Sequence, residues 1–292
     1  YLETDPNLPA NARITDVRRA PRNARGRVEF WTDFWLLKPT DPARGSRRLL
    51  YDVNNRGNML AIRTLNSAER TNRPITLAHA GNGFLMRQGV AVFSCGWNGD
   101  VVDDQTGRLL MYAPVATENG QPIHGPTMEF CTTEPGHSRA FSWSPWGSFA
   151  AYLPAVPDHR FATLTMCERR GAPVVQVPHD QWAWGRGENG EPLPELTHLW
   201  LKDGFRTGWL YDLVYTAAAP RVTGLGLAAI RDTISFLRHA PAVSSAGENP
   251  LAGAVERAYA LGISQSGRLL NHFVYEGFNA DEAGRIVFDG LL

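Results

Sequence analysis

Tyr259-Ala260-Leu261-Gly262-Ile263-Ser264-Gln265-Ser266-Gly267-Arg268-Leu269-Leu270-Asn271-His272 reads as strand, sharp turn and helix. Tyr259, Ala260 and Leu261 form a short apolar run after the polar segment Ser244 to Gly253, and Leu269, Leu270, Phe273 and Val274 recur at helical spacing. The turn between them carries Ser264. Gly262, two residues before it, and Ser266, two after, are small, as so tight a reversal requires if the apical side chain is to stand clear of the backbone. This is the shape of a nucleophile elbow, here with Ser266 where the commonest form has its last Gly.

The chemistry accounts for the shape. A serine hydroxyl is a weak nucleophile until a base takes its proton, so it must stand at the rim of a sheet where a histidine can reach it. The backbone N–H of Gln265 opens the helix, where unpaired amides and the helix dipole favour a developing oxyanion. Ser266 is a second nucleophile candidate, but it falls after the apex and would face the first helical turn. The plain alternative for this hexapeptide is a tight connection with Ser264 as a solvated turn residue.

With 292 residues, 43% of them hydrophobic, the chain can bury a large core holding one domain, or one domain with a sizeable insertion. Its 29 basic residues balance 29 acidic ones, so no net field draws it to nucleic acid or to an anionic membrane surface. Cys95, Cys131 and Cys167 are widely spaced, allow at most one disulfide and show no metal-ligand pairing, so no metal site is expected. No apolar run approaches the ~18 residues of a membrane span, and no signal peptide is visible. The sequence does not fix the compartment, with a secreted or periplasmic location favoured over a cytoplasmic one.

Working outward, residues 1–27 are polar, with Ile14 and Val17 as anchors, and read as an extended surface segment. Val28 to Leu37 alternates aromatic and β-branched residues as a single strand, and Leu49 to Val53 reads as a second. That strand stops at Asn54-Asn55-Arg56-Gly57-Asn58, a loop whose Asn and Gly residues tolerate left-handed conformations that can turn amides toward a ligand. In a fold with such an elbow, the second oxyanion donor comes from a loop of this kind, which makes Asn55 and Arg56 candidates. A helix around Asn82 to Gln88 and a buried strand Gly89 to Ser94 follow.

From residue 108 to residue 208 the texture changes to short, Trp-rich apolar segments between Gly and Pro turns, which predicts a β-rich, sandwich-like insertion. Trp143, Trp146, Trp182 and Trp184 could form an aromatic binding wall or fill a small β core. The flanking residues, 1–107 and 209–292, are expected to form an α/β core. In it Trp209 to Thr216 is strand-like, Gly224 to His239 helical, and Gly284 to Leu292 one more strand. Gly224-Leu225-Gly226 lacks a full phosphate-loop pattern, so nucleotide binding is set aside.

Taken together, the elbow, the loop at Asn54 to Asn58 and the interrupted βαβ order resemble the α/β-hydrolases, and within them a bacterial group labelled α/β-hydrolase domain-containing proteins. The matching segments are Ala20 to Glu29, Leu50 to Asn58, Gly262 to Arg268 and Gly277 to Glu282. The resemblance implies a mostly parallel sheet flanked by helices and a serine esterase-like enzyme without a cofactor. Ser264 would be the nucleophile, with an oxyanion hole from Gln265 and the Asn54 to Gly57 loop, and the substrate a small-molecule ester.

One departure matters. The triad of this fold runs Ser, then acid, then His, and His272 is the sole histidine after Ser264. It lies two helical turns on, ~12 Å along the axis, so it is not the base. Asp289 reads as a structural or capping residue. The expectation is a fragment whose base and acid lie beyond Leu292, with little activity of its own and an uncovered sheet flank that makes it self-associate. The rival expectation is a non-catalytic protein on the same fold whose Trp-rich insertion binds a ligand such as a carbohydrate.

Overall fold

The computed structural model describes residues 1–132, 139–142, 149–187 and 190–292. Two compact units are present, one of Tyr1–Pro114 with Arg221–Leu292 and one of Val115–Pro220. In chain order the first unit begins with β1 (Leu2–Thr4), β2 (Val28–Thr32), β3 (Phe34–Leu37), β4 (Arg48–Val53), α1 (Ala61–Asn66), α2 (Phe84–Arg87), β5 (Ala91–Cys95) and β6 (Met111–Tyr112). The second unit holds β7 (Thr117–Glu118), β8 (Gln121–Pro122), β9 (His124–Thr132), β10 (Ala140–Ser142), β11 (Thr163–Cys167), β12 (Val175–Gln176), β13 (Trp182–Arg186), β14 (Leu193–Leu201) and β15 (Leu210–Ala218). The chain then returns to the first unit with α3 (Leu225–His239), β16 (Val243–Ser244), β17 (Gly247–Glu248), β18 (Arg257–Gly262), α4 (Gln265–Tyr275) and β19 (Gly290–Leu291).

The main sheet of the first unit has the order β19-β18-β4-β5-β3, with the first four strands parallel and β3 antiparallel at the edge. Its central strands are apolar on both faces, as parallel strands covered on both sides must be. Along β4 the side chains alternate. Leu50 packs with Ala61 of α1, Leu85 of α2 and Val92. Tyr51 points the other way, its ring 5.8 Å from Phe288, which in turn lies 5.7 Å from Phe273 of α4. Helix α3 is buried along most of its length, and a Cβ on its Gly226 would come within 1.8 Å of the Trp97 carbonyl oxygen. The Gly224-Leu225-Gly226 step therefore serves close packing.

Several expected elements are corrected. Val28 to Leu37 is not one strand. It breaks at Asp33, which exchanges bonds with the Leu110 backbone and accepts the Gly96 N–H, so β2 joins β1 and β6 while β3 joins the main sheet. The N-terminal segment is pinned by more than Ile14 and Val17, since Leu2–Thr4 pairs with β2 and Asn11 is fully buried. Helix α1, directly after the Asn54 to Asn58 loop, had no strong periodic signal. Within the stretch from Gly284 to Leu292 only Gly290–Leu291 is a strand.

In the second unit no α-helix occurs among the described residues. Antiparallel strands form one sheet of order β12-β11-β15-β9, another of order β10-β14-β13, and the small hairpin β7-β8. Buried Leu164, Trp182, Trp184, Leu199, Tyr211 and Leu213 belong to one cluster drawn from both larger sheets. The unit's limits are Val115 and Pro220 rather than residues 108 and 208. Strand β15, expected in the α/β core, pairs along its whole length with β9 and along half of it with β11. The Ala116 N–H donates to the Pro220 carbonyl at 2.9 Å, so the unit's two ends meet.

Candidate active site

Ser264 sits at φ 61°, ψ −116°, between the end of β18 and the first residue of α4. A positive φ is uncommon for a residue with a Cβ, and such backbone strain costs about 1–3 kcal/mol. Its neighbours hold it there. A Cβ on Gly262 would fall 2.6 Å from the Ser266 carbonyl oxygen and 2.8 Å from the Gly267 nitrogen, so the helix can press onto the strand end only because Gly262 lacks one. The Ser264 side chain is exposed and receives no hydrogen bond from any described residue. The first amide of α4, on Gln265, has no backbone acceptor among the described residues and lies where the helix dipole is positive.

Strands β18 and β4 are adjacent and parallel, with Gly262 level with Val53, so the elbow and the Asn54 to Asn58 loop leave the same edge of the sheet. Ligand sites of parallel sheets form beyond that carboxyl edge. The two are stitched together. Ser266 Oγ donates to the Asn54 carbonyl at 3.2 Å, and Asn55 Nδ2 donates to the Ile263 carbonyl at 3.3 Å. Ser266 is fully buried in this contact, which removes it as a nucleophile. The Leu292 carbonyl accepts the Gly262 N–H, so β19 also ends at the elbow.

Inside the loop the amides are largely committed. Asn55 N–H donates to the Asn58 carbonyl, Asn58 N–H to the Asn55 carbonyl, and Gly57 N–H to Asn54 Oδ1. The left-handed residues are Arg56 (φ 52°) and Gly57 (φ 76°), so the strained position falls on an arginine and not on an asparagine. The group Asn55 presents to the elbow is thus its side-chain amide. Below the loop, buried Asn54 donates to the Cys95 carbonyl at 2.7 Å and accepts the Trp97 indole N–H through its own carbonyl at 2.8 Å. Asn72 holds Asn58 Oδ1 and the Met59 N–H, each at 3.0 Å.

Asp52 escaped the sequence reading. Its Oδ2 accepts the amides of Leu60 and Ala61 at 2.8 and 2.9 Å, capping α1. Complete burial pushes its carboxyl up to about 6 from the usual 3.8, against the downward pull of the two amides. The available signal was a charged residue inside the apolar run Leu49 to Val53. Between the two values the folded protein holds a proton that the unfolded chain has released, so stability falls as pH rises through that window. At about 1.4 kcal/mol per pH unit, the ionised carboxylate costs about 3 kcal/mol above pH 6. Urea unfolding of wild type and Asp52→Asn between pH 4 and 7 should show the variant losing this slope. Parallel curves would contradict it.

Asp289 lies at the wrong end of the sheet. It is level with Ala258, whose amide it accepts at 2.8 Å, and it pairs with Arg238 and Arg257 far along β18 from Ser264. His272 faces Glu276 at 3.9 Å, and His239 lies by the Ile286 backbone, depressed by burial and by Arg285 and Arg238. His159 and His179 bond main-chain carbonyls within the second unit. His137, Trp143 and Trp146 lie outside the described residues. Trp182 and Trp184 are core residues, which removes them from a surface binding wall.

Cys95 and Cys167 are buried free thiols, and burial pushes the Cys95 thiol up to about 11. Among the described residues no group of three or more His, Cys, Asp and Glu side chains could hold a metal ion, and no helix is long and apolar enough to cross a membrane. A hollow lined by Lys38, Pro39, Gly45, Arg48, Gly89 and Pro250 lies at the amino-terminal end of β4 and β5, opposite the elbow.

Neither the curated proteins nor the solved structures compared with the chain include a match to it. The family described as alpha/beta hydrolase domain matches residues 113–292, more than half of the chain and the whole of the elbow. The chain therefore belongs to the alpha/beta hydrolase domain family.

Proposed function

We propose that the full-length protein is a serine hydrolase of small carboxylic esters, with Ser264 as the nucleophile. The observation that carries this reading is Ser264 itself, an exposed hydroxyl at a left-handed strand-to-helix turn beside an uncommitted helix N-terminal amide. Its Oγ bonds to the carbonyl carbon while a base takes its proton. The C–O bond to the alcohol then breaks as that proton passes to the leaving oxygen, and water releases the acid from the acyl-serine. The Gln265 N–H and Asn55 Nδ2 receive the oxyanion. A preorganised donor of this kind contributes about 10²–10³ in kcat. Asn55→Ala should therefore lower kcat by that factor with little change in KM, and a fall below threefold in steady-state assays would remove Asn55 from the role.

The fold's order places an acid and a histidine base after the nucleophile, and no described side chain bonds Ser264 Oγ. Turnover of p-nitrophenyl acetate at a rate typical of an esterase by residues 1–292, abolished in Ser264→Ala, would direct the search for the base to a histidine upstream. The second unit is proposed as an insertion whose two larger sheets stack as a sandwich, supported by the buried cluster they share.

A further inference from the structure

The loop that carries Asn55 leaves β4 at Asn54 and ends where α1 begins, and one carboxylate holds both of its ends. Asp52 belongs to the strand before the loop, while the two amides it accepts, from Leu60 and Ala61, lie just after it. Leu60, at the N-cap of α1, supplies no capping side chain of its own. Ser94 Oγ fixes the Asp52 backbone in turn, donating to its carbonyl at 2.7 Å. Between these ends the loop closes on itself through the Asn55–Asn58 pair and the Asn54–Gly57 bond. Asn55 Nδ2 reaches from it to the residue before Ser264.

A neutral Asn at this position would place an acceptor oxygen against the same two amides, and would avoid burying an ionisable group. Asp52 is fully buried, and its Oδ1 has no hydrogen-bond partner among the described residues. Capping alone therefore does not account for a carboxylate here. The charge adds two charge-assisted bonds, stronger than neutral ones, and an attraction to the positive end of α1. Both stiffen the loop, and a donor aimed at a developing charge works to the extent that it does not have to reorganise.

We propose that Asp52 is a positioning residue of the hydrolytic site, clamping the first amides of α1 so that the Asn55 side-chain amide is held beside the elbow. This rests on the assignment of Ser264 and Asn55 above. The test is a double-mutant cycle in the full-length protein. Asp52→Asn alone should lower kcat for p-nitrophenyl acetate about tenfold or more, leave KM within twofold, and leave the melting temperature at pH 8 equal or higher. In an Asn55→Ala background the same change should cost less than about threefold, because the group it positions is gone.

An unchanged kcat, or equal losses in both backgrounds, would overturn the proposal and leave Asp52 a structural cap. If Asp52→Asn does not fold, Ser94→Ala, which removes the hydrogen bond that fixes the Asp52 backbone, enters the same cycle. Failure of the underlying assignment would look different, since Ser264→Ala would then retain turnover whatever residue stands at 52.

Discussion

Ser264→Ala should remove ester turnover, with kcat falling about 10⁴- to 10⁶-fold while substrate affinity and melting temperature stay near wild type. The size follows from the proposed chemistry, in which no acyl-serine can form without the hydroxyl and the Gln265 amide and Asn55 are left to polarise a carbonyl for attack by water. The unchanged stability follows from the geometry. Ser264 Oγ is exposed and bonds to no described residue, so its loss leaves no buried group unpaired, and the turn is held by Gly262 and by the contact of Ser266 with Asn54. Steady-state hydrolysis and thermal melts of the full-length protein and the variant measure both. A variant retaining more than about one-hundredth of the activity would transfer the chemistry to another residue.

Gly262→Ala should damage both stability and activity. The added methyl would meet the Ser266 carbonyl oxygen at 2.6 Å, its carbon at 2.7 Å and the Gly267 nitrogen at 2.8 Å, all backbone atoms of the first turn of α4 that cannot swing aside. Overpacking of this kind costs about 1–3 kcal/mol, here at the upper end, or roughly 6–12 °C in melting temperature. The helix must also lift from the strand, carrying Ser264 and the Gln265 amide with it, and a shift near 1 Å can cost about 10²-fold in rate. Gly125→Ala is the control, since nothing lies within 4 Å of its added methyl, and it should stay within about 0.5 kcal/mol. Equal effects of the two substitutions would contradict the close approach at the elbow.

The strand-to-helix turn at Ser264 was legible because its constraint is local. A strand, a turn that demands small residues and a helix follow within one short stretch, and β18 and α4 lie where the apolar spacing of Tyr259 to Val274 put them. Helix α3 was equally plain from its 3.6-residue period. What the sequence hid depends on partners distant in the chain. Asp33 looks like one polar residue in an aromatic strand, and only its bonds to Leu110 and Gly96 divide that strand between two sheets. Strand β15 has the alternation of any half-buried strand, and nothing local says that its neighbours are β9 and β11. Asn72 holds the Asn58 side chain and Trp97 the Asn54 carbonyl across intervals that no motif spans, while Asp52 takes the amides of Leu60 and Ala61 just past the loop.

The oxyanion candidates illustrate the same division. The composition of Asn54 to Asn58 marked a tight polar loop, but which atoms remain available depends on hydrogen bonds within it. Asn55, Gly57 and Asn58 spend their amides there, and the side chain of Asn55 is what crosses to Ile263.

The most direct test of Ser264 as the nucleophile is to treat the folded full-length protein with a fluorophosphonate, digest it and locate the adduct by mass spectrometry. The account expects a single phosphonylated residue, Ser264, with no label on Ser266 and none after prior unfolding. An adduct on any other residue of the folded protein, or equal labelling of Ser264→Ala, would contradict it.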